Sequence, residues 1–134
     1  MAFFDLFGKK QVFSGPGPYA LSCEIHPMRL PAHRNEFLDL EITVTNIAGQ
    51  ELLTSVVVVV PKTLGFEQTA LNNEREIRLG MLQPRETRDL KVRVWGTQRT
   101  EAGTYPIKVF ALSHYRDYGH VLNQVRRALE LRVV

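Results

Sequence analysis

Cysteine is almost missing from this chain: Cys23 is the single example in 134 residues. One thiol cannot close an internal disulfide, so the core must hold the fold, which suits a reducing compartment. Asn-x-Ser/Thr acceptors are missing as well, and glycosylation gives no sign of export. No apolar run approaches the ~20 residues of a membrane-spanning helix. The first ten residues place Asp5 ahead of Lys9 and Lys10, the reverse of the charge order in a secretory leader. These absences predict a cytoplasmic chain, with peripheral attachment to a membrane as the membrane role left open.

Catalytic signatures are equally scarce. There is no Gly-x-Ser-x-Gly elbow and no glycine-rich phosphate loop. Cys23 falls on the apolar side of an alternating stretch, where a thiol packs rather than reacts. The expectation is a protein without enzymatic activity or cofactor. One spacing brings metal-ligand types together. If Asp117–Gly119 turned a hairpin, His114 and His120 would face each other beside Asp117, a donor set that suits zinc. That spacing matches no standard site, and Arg116 would repel a cation, so these residues read as an exposed loop without metal. His26 and His33 flank a proline loop and have no better support.

Valine is what the chain has in surplus. In Leu52–Pro61 five consecutive valines, Val56 to Val60, are stiff at χ1 and favour a strand. Alternation sends Val56, Val58 and Val60 to one face and Val57 and Val59 to the other. One face can lie on the core; the second also wants cover. The stretches around this run alternate in the same way. Tyr19, Leu21, Cys23 and Ile25 alternate with polar neighbours until Pro27. Leu38, Leu40, Ile42 and Val44 face in while Asp39, Glu41, Thr43 and Thr45 face out. Short strands are expected near Phe66–Thr69 and at Ile77–Leu79. A turn at residues 80–86 leads into Leu90, Val92 and Val94, then Tyr105–Tyr115 and Ala128–Val134 follow. About seven strands with little helical periodicity predict an all-β, antiparallel two-sheet sandwich over residues 19–134. Residues 1–18 read as an aromatic tag, with Phe3, Phe4 and Phe7, joined by a Gly/Pro linker.

Three segments resemble the immunoglobulin-like domains of the CARDB, or cell-adhesion-related, kind. Leu40-Glu41-Ile42-Thr43-Val44-Thr45-Asn46 with Gly49 is similar to that family's apolar-x-Val-x-Asn-x-Gly opening. Leu79-Gly80-Met81-Leu82-Gln83-Pro84-Arg85-Glu86 resembles its LGxLxPGE turn, with Arg85 where glycine is usual. Ala102-Gly103-Thr104-Tyr105-Pro106-Ile107 resembles its AGTYxI string. The resemblance spans roughly residues 37 to 112 and implies an immunoglobulin-like sandwich; it says little about role.

Charge is unevenly spread. Residues 1–74 carry 5 Lys/Arg against 8 Asp/Glu, and residues 75–134 carry 12 against 6. Lys91, Arg93, Trp95, Arg126 and Arg127 are the candidates for an anionic partner, where arginine and aromatic rings meet phosphates and bases. A strand apolar on both faces and a tag of aromatic residues point more strongly to a protein partner. The expected role is a self-associating interaction module, with Phe3, Phe4, Phe7, Val57 and Val59 as its contact. A membrane or nucleic-acid adaptor is the alternative.

Overall fold

The computed structural model describes residues 17–134. The strands are β1 (Tyr19–His26), β2 (Arg29–Leu30), β3 (Phe37–Asn46), β4 (Leu52–Val59), β5 (Leu64–Gly65), β6 (Glu74–Leu82), β7 (Thr87–Gly96), β8 (Gly103–His114) and β9 (Val121–Val133). Seven of them have eight residues or more. They form a four-stranded sheet, β1-β3-β7-β5, and a five-stranded sheet, β2-β9-β8-β4-β6. Neighbours run antiparallel except at the two-residue pairing of β2 with β9. No helix among the described residues is long and apolar enough to cross a membrane.

The alternating patterns become the two inner faces. Leu38, Leu40, Ile42 and Val44 of β3 are each 0% exposed, as are Val56 and Val58 of β4. Burying a side chain of this size stabilises by ~1.5–3 kcal/mol, so these six positions hold the sheets together. Polar pegs add specificity. The buried Tyr19 hydroxyl shares a hydrogen bond with Thr54 Oγ1 at 2.7 Å, linking β1 of one sheet to β4 of the other.

Asn46 is the larger peg. Its side chain is wholly buried and donates through Nδ2 to the carbonyls of Gln50 and Leu82, both at 2.9 Å. Its Oδ1 accepts from the Ala48 amide at 2.8 Å. Its backbone amide donates to the Glu86 carbonyl and its carbonyl accepts from the Arg85 amide. One residue thus ties the β3–β4 turn to the end of β6 and to the β6–β7 turn. That turn is closed by the Glu86 amide on the Gln83 carbonyl, with Pro84 second and Arg85 third. Arg85 has φ 67°, the left-handed value a type II turn requires at that position.

Several boundaries differ from expectation. The residues Phe66–Thr69 form no strand; the short strand lies earlier, at β5. The turn expected from Gly80 begins only after Leu82, because β6 runs on through a bulge. There Gly80, at φ 77°, and Arg78 pair with the successive residues Thr54 and Ser55, leaving Leu79 as the extra residue. A glycine in the left-handed region is what such a bulge uses. The last strand starts at Val121 rather than Ala128. It is a polar-faced strand whose Asn123, Gln124, Arg126 and Arg127 hide the alternation.

Candidate functional site

Strand order places β4 inside the five-stranded sheet, between β8 and β6. Its inner valines enter the core, and Val57 and Val59 stand half-buried on the outer face. Register sets their neighbours. Glu76, Val57, Phe110 and Arg126 form one row across β6, β4, β8 and β9. Glu74, Val59, Lys108 and Ala128 form the next, and Arg78, Ser55, Leu112 and Gln124 the one on the other side. Val57, Val59, Phe110 and Leu112 therefore make an apolar stripe down the two middle strands, rimmed by charge.

The β8–β9 tip bounds this face at one end. His114 is 5% exposed and its Nε2 meets Ser55 Oγ, itself 0% exposed, at 2.7 Å. Tyr118 lies edge-on to the His114 ring, 5.0 Å between centroids. The Tyr118 hydroxyl accepts a hydrogen bond from the Gly80 amide at 3.0 Å, and Arg78 sits 4.6 Å from the Tyr118 ring centroid. The tip is thus a strap from β8 over β4 to β6. Burial, with help from Arg78, holds the His114 pKa below the usual imidazole value, while Glu76 and Asp117 pull the other way.

This geometry separates the candidate metal ligands. Asp117 Oδ1 meets His120 Nδ1 at 2.8 Å and the Gly119 amide at 2.8 Å, and these bonds, His120 first, hold its carboxyl below the ordinary value. His114 is turned inward onto Ser55 instead of joining them. Register does assemble a trio that sequence spacing cannot show. Glu24 and Glu41 are cross-strand partners, and His26 Nε2 lies 3.2 Å from Glu24 and 4.0 Å from Glu41. All three are exposed and their ligand atoms lie within 4.8 Å of one another. The nearest sequence signal was the alternation of β1 and β3, which puts each residue on its outer face but does not pair them.

The candidate anionic-partner residues divide between the sheets. Lys91, Arg93 and Trp95 lie on the outer face of β7 in the four-stranded sheet. Arg93 lies 3.5 Å from Asp39 and 3.8 Å from the Phe37 ring centroid, and Phe37 packs on Trp95 at 5.0 Å. Arg126 and Arg127 belong to β9 of the other sheet. Arg127 Nε donates to the Leu21 carbonyl of β1 at 2.8 Å, spanning the gap between the sheets. The five residues form two groups, not one patch. Cys23 is half-buried, and burial pushes its thiol up to about 12, with Arg127 opposing. Phe3, Phe4 and Phe7 lie outside the described residues.

No family model matches the chain. No curated protein matches it either. Solved structures do. The CARDB domain of the PF1109 protein from Pyrococcus furiosus, in complex with di-metal ions, aligns at 20% identity and a TM-score of 0.52. That alignment covers 87% of this chain and 89% of the other. AvmM, which catalyses macrocyclisation in alchivemycin A biosynthesis, aligns at 8% identity and a TM-score of 0.54, over 84% and 88%. Similar folds thus include an enzyme. The strands, their two-sheet order and these likenesses give the chain an immunoglobulin-like β-sandwich fold, similar to that of a CARDB domain.

Proposed function

We propose that this protein is a non-catalytic interaction module of the cytoplasm that associates with a second copy of itself. The observation that carries the reading is the apolar stripe of Val57, Val59, Phe110 and Leu112 on the outer face of the five-stranded sheet. A half-buried apolar centre with a charged rim is the anatomy of a protein interface. A nucleic-acid ligand would be served better by converging cations than by two groups on opposite sheets. The non-catalytic part is supported by the state of the reactive groups. The Cys23 thiol is held protonated, and Ser55 and His114 are shut beneath Tyr118. Phe3, Phe4 and Phe7 are proposed to add apolar area to the same contact.

The test is the solution mass of the full chain, with and without residues 1–16, over a range of concentrations and at low and high salt. A dimer that survives high salt is expected, since apolar contact is little screened. A loss of the dimer on truncation would assign the contact to the aromatic segment. A monomer throughout would refute self-association.

A further inference from the structure

Among the described residues, four other than glycine hold a positive φ: His33, Ala70, Arg85 and Arg116. Residues with side chains rarely adopt this region, so each case asks what compensates it. Three have a contact that does. His33 Nδ1 bonds the Gln98 carbonyl at 3.0 Å, and the Arg116 guanidinium lies 5.1 Å from the Tyr115 ring centroid. Ala70 is pressed against Gly65, where an added Cβ would run into the Ala70 backbone. Arg85 differs. Its amide donates to the Asn46 carbonyl, but its guanidinium has no hydrogen bond, ion pair or ring contact among the described residues.

Arg85 does line a hollow of about 450 Å³ between two turns. Ile47, Ala48 and Gly49 of the β3–β4 turn form one wall, and Pro84 and Arg85 of the β6–β7 turn form the other. The paired backbone bonds of Asn46 with Arg85 and Glu86, at 2.8 and 3.0 Å, clamp the walls together. The hollow is therefore preformed, which lowers the cost of binding. Ile47, 54% exposed, gives it an apolar surface. The acids of these turns are engaged: Glu86 accepts from the Gln83 amide and Arg88 Nε, and Glu51 accepts from Gln83 Nε2, each at 2.9 Å. The Gly49 amide has no acceptor among the described residues. A free guanidinium and a free amide beside apolar walls complement a carboxylate carried on an apolar body. We propose that this hollow captures the C-terminal carboxylate of a partner peptide whose last side chain is apolar. A C-terminal residue carries both groups on one Cα, whereas an aspartate or glutamate side chain brings the charge without the apolar group. This surface is separate from the valine stripe and does not depend on self-association.

The test is a titration of the full, nitrogen-15-labelled chain followed through its amide signals. Three probes are used: an acetylated tripeptide ending in leucine with a free carboxylate, the same peptide as its C-terminal amide, and acetate. Saturable shifts at Ile47, Ala48, Gly49 and Arg85 are expected with the free-carboxylate peptide. The amide peptide and acetate should each bind at least tenfold more weakly, one lacking the charge and the other the apolar body. Arg85→Gly should weaken the free-carboxylate peptide at least tenfold. That variant keeps the turn, since glycine suits its left-handed position, so the loss is not a loss of fold. The absence of shifts at these residues, or an amide peptide that binds as well as the acid, would overturn the proposal. So would acetate binding as tightly as the peptide, which marks a bare cation, or an Arg85→Gly variant with undiminished affinity.

Discussion

Asn46→Ala removes the side-chain peg that joins the β3–β4 turn to the end of β6, and its cost follows from the bonds it makes. Two donated bonds and one accepted bond disappear, each of ~1 kcal/mol net. The side chain is 0% exposed and the Leu82 carbonyl bond is itself buried, so that carbonyl is left unpaired at ~1–3 kcal/mol rather than handed to water. With the Leu82 bond counted once, within that cost, the other two bonds bring the loss to about 3–5 kcal/mol. For a domain of this size 1 kcal/mol moves Tm by ~4 °C, so a fall of roughly 12–20 °C is expected in calorimetry, with urea denaturation as the second reading. Asn46→Asp sharpens the argument. Its carboxylate would face the carbonyls of Gln50 and Leu82, which repel it and raise its folded pKa above the unfolded value. Within the window between those two pKa values the folded variant binds more protons, so its stability rises as pH falls through the folded pKa. At neutral pH the Asp variant should be less stable than the Ala variant, and the gap should close in acid. An Ala variant that loses less than 1 kcal/mol, or an Asp variant without acid recovery, would refute this account of the peg.

Arg85 occupies the left-handed position of a type II turn, and Arg85→Gly should be neutral to stabilising by up to ~1 kcal/mol in urea denaturation, as strain relief offsets unfolded-chain entropy. Arg85→Val at the same place should cost ~1–3 kcal/mol. His114 has a lowered pKa, so the unfolded chain takes its proton first. Stability should therefore hold above pH ~6.5 and fall as pH drops below it, levelling at the lower folded pKa. His114→Gln should flatten that slope in a pH series of chemical denaturation. Tyr118→Phe leaves the Gly80 amide without its protein acceptor and should cost ~1 kcal/mol by the same assay.

Much of the sandwich could be read from period-two patterns. β3 keeps strict alternation, and the structure buries its four apolar residues completely. The valine run was legible as a strand with two demanding faces. Of β6 only the part at Ile77–Leu79 was legible, since Glu74, Arg75, Glu76 and Arg78 give an edge strand the charges that protect it and disguise it. β9 was legible from Ala128 on, and its first part hides likewise behind Asn123, Gln124, Arg126 and Arg127. Asn46 and Arg85 were visible as parts of a resemblance, but their work lies in bonds between turns far apart in the chain. Register was the missing quantity. It decides that Glu24 meets Glu41, that Arg127 reaches Leu21 while Lys91 lies on the other sheet, and that Glu76 and Arg126 flank one apolar row.

The proposal that the outer face of the five-stranded sheet is the self-association surface is tested most directly by sedimentation of the full chain beside Val57→Lys/Val59→Lys. Both positions are half-buried on that face, so the variant should keep its fold, checked by circular dichroism. The account expects a concentration-dependent dimer for the parent and a monomer for the variant over the same range. Superimposable mass curves for two folded proteins would contradict it.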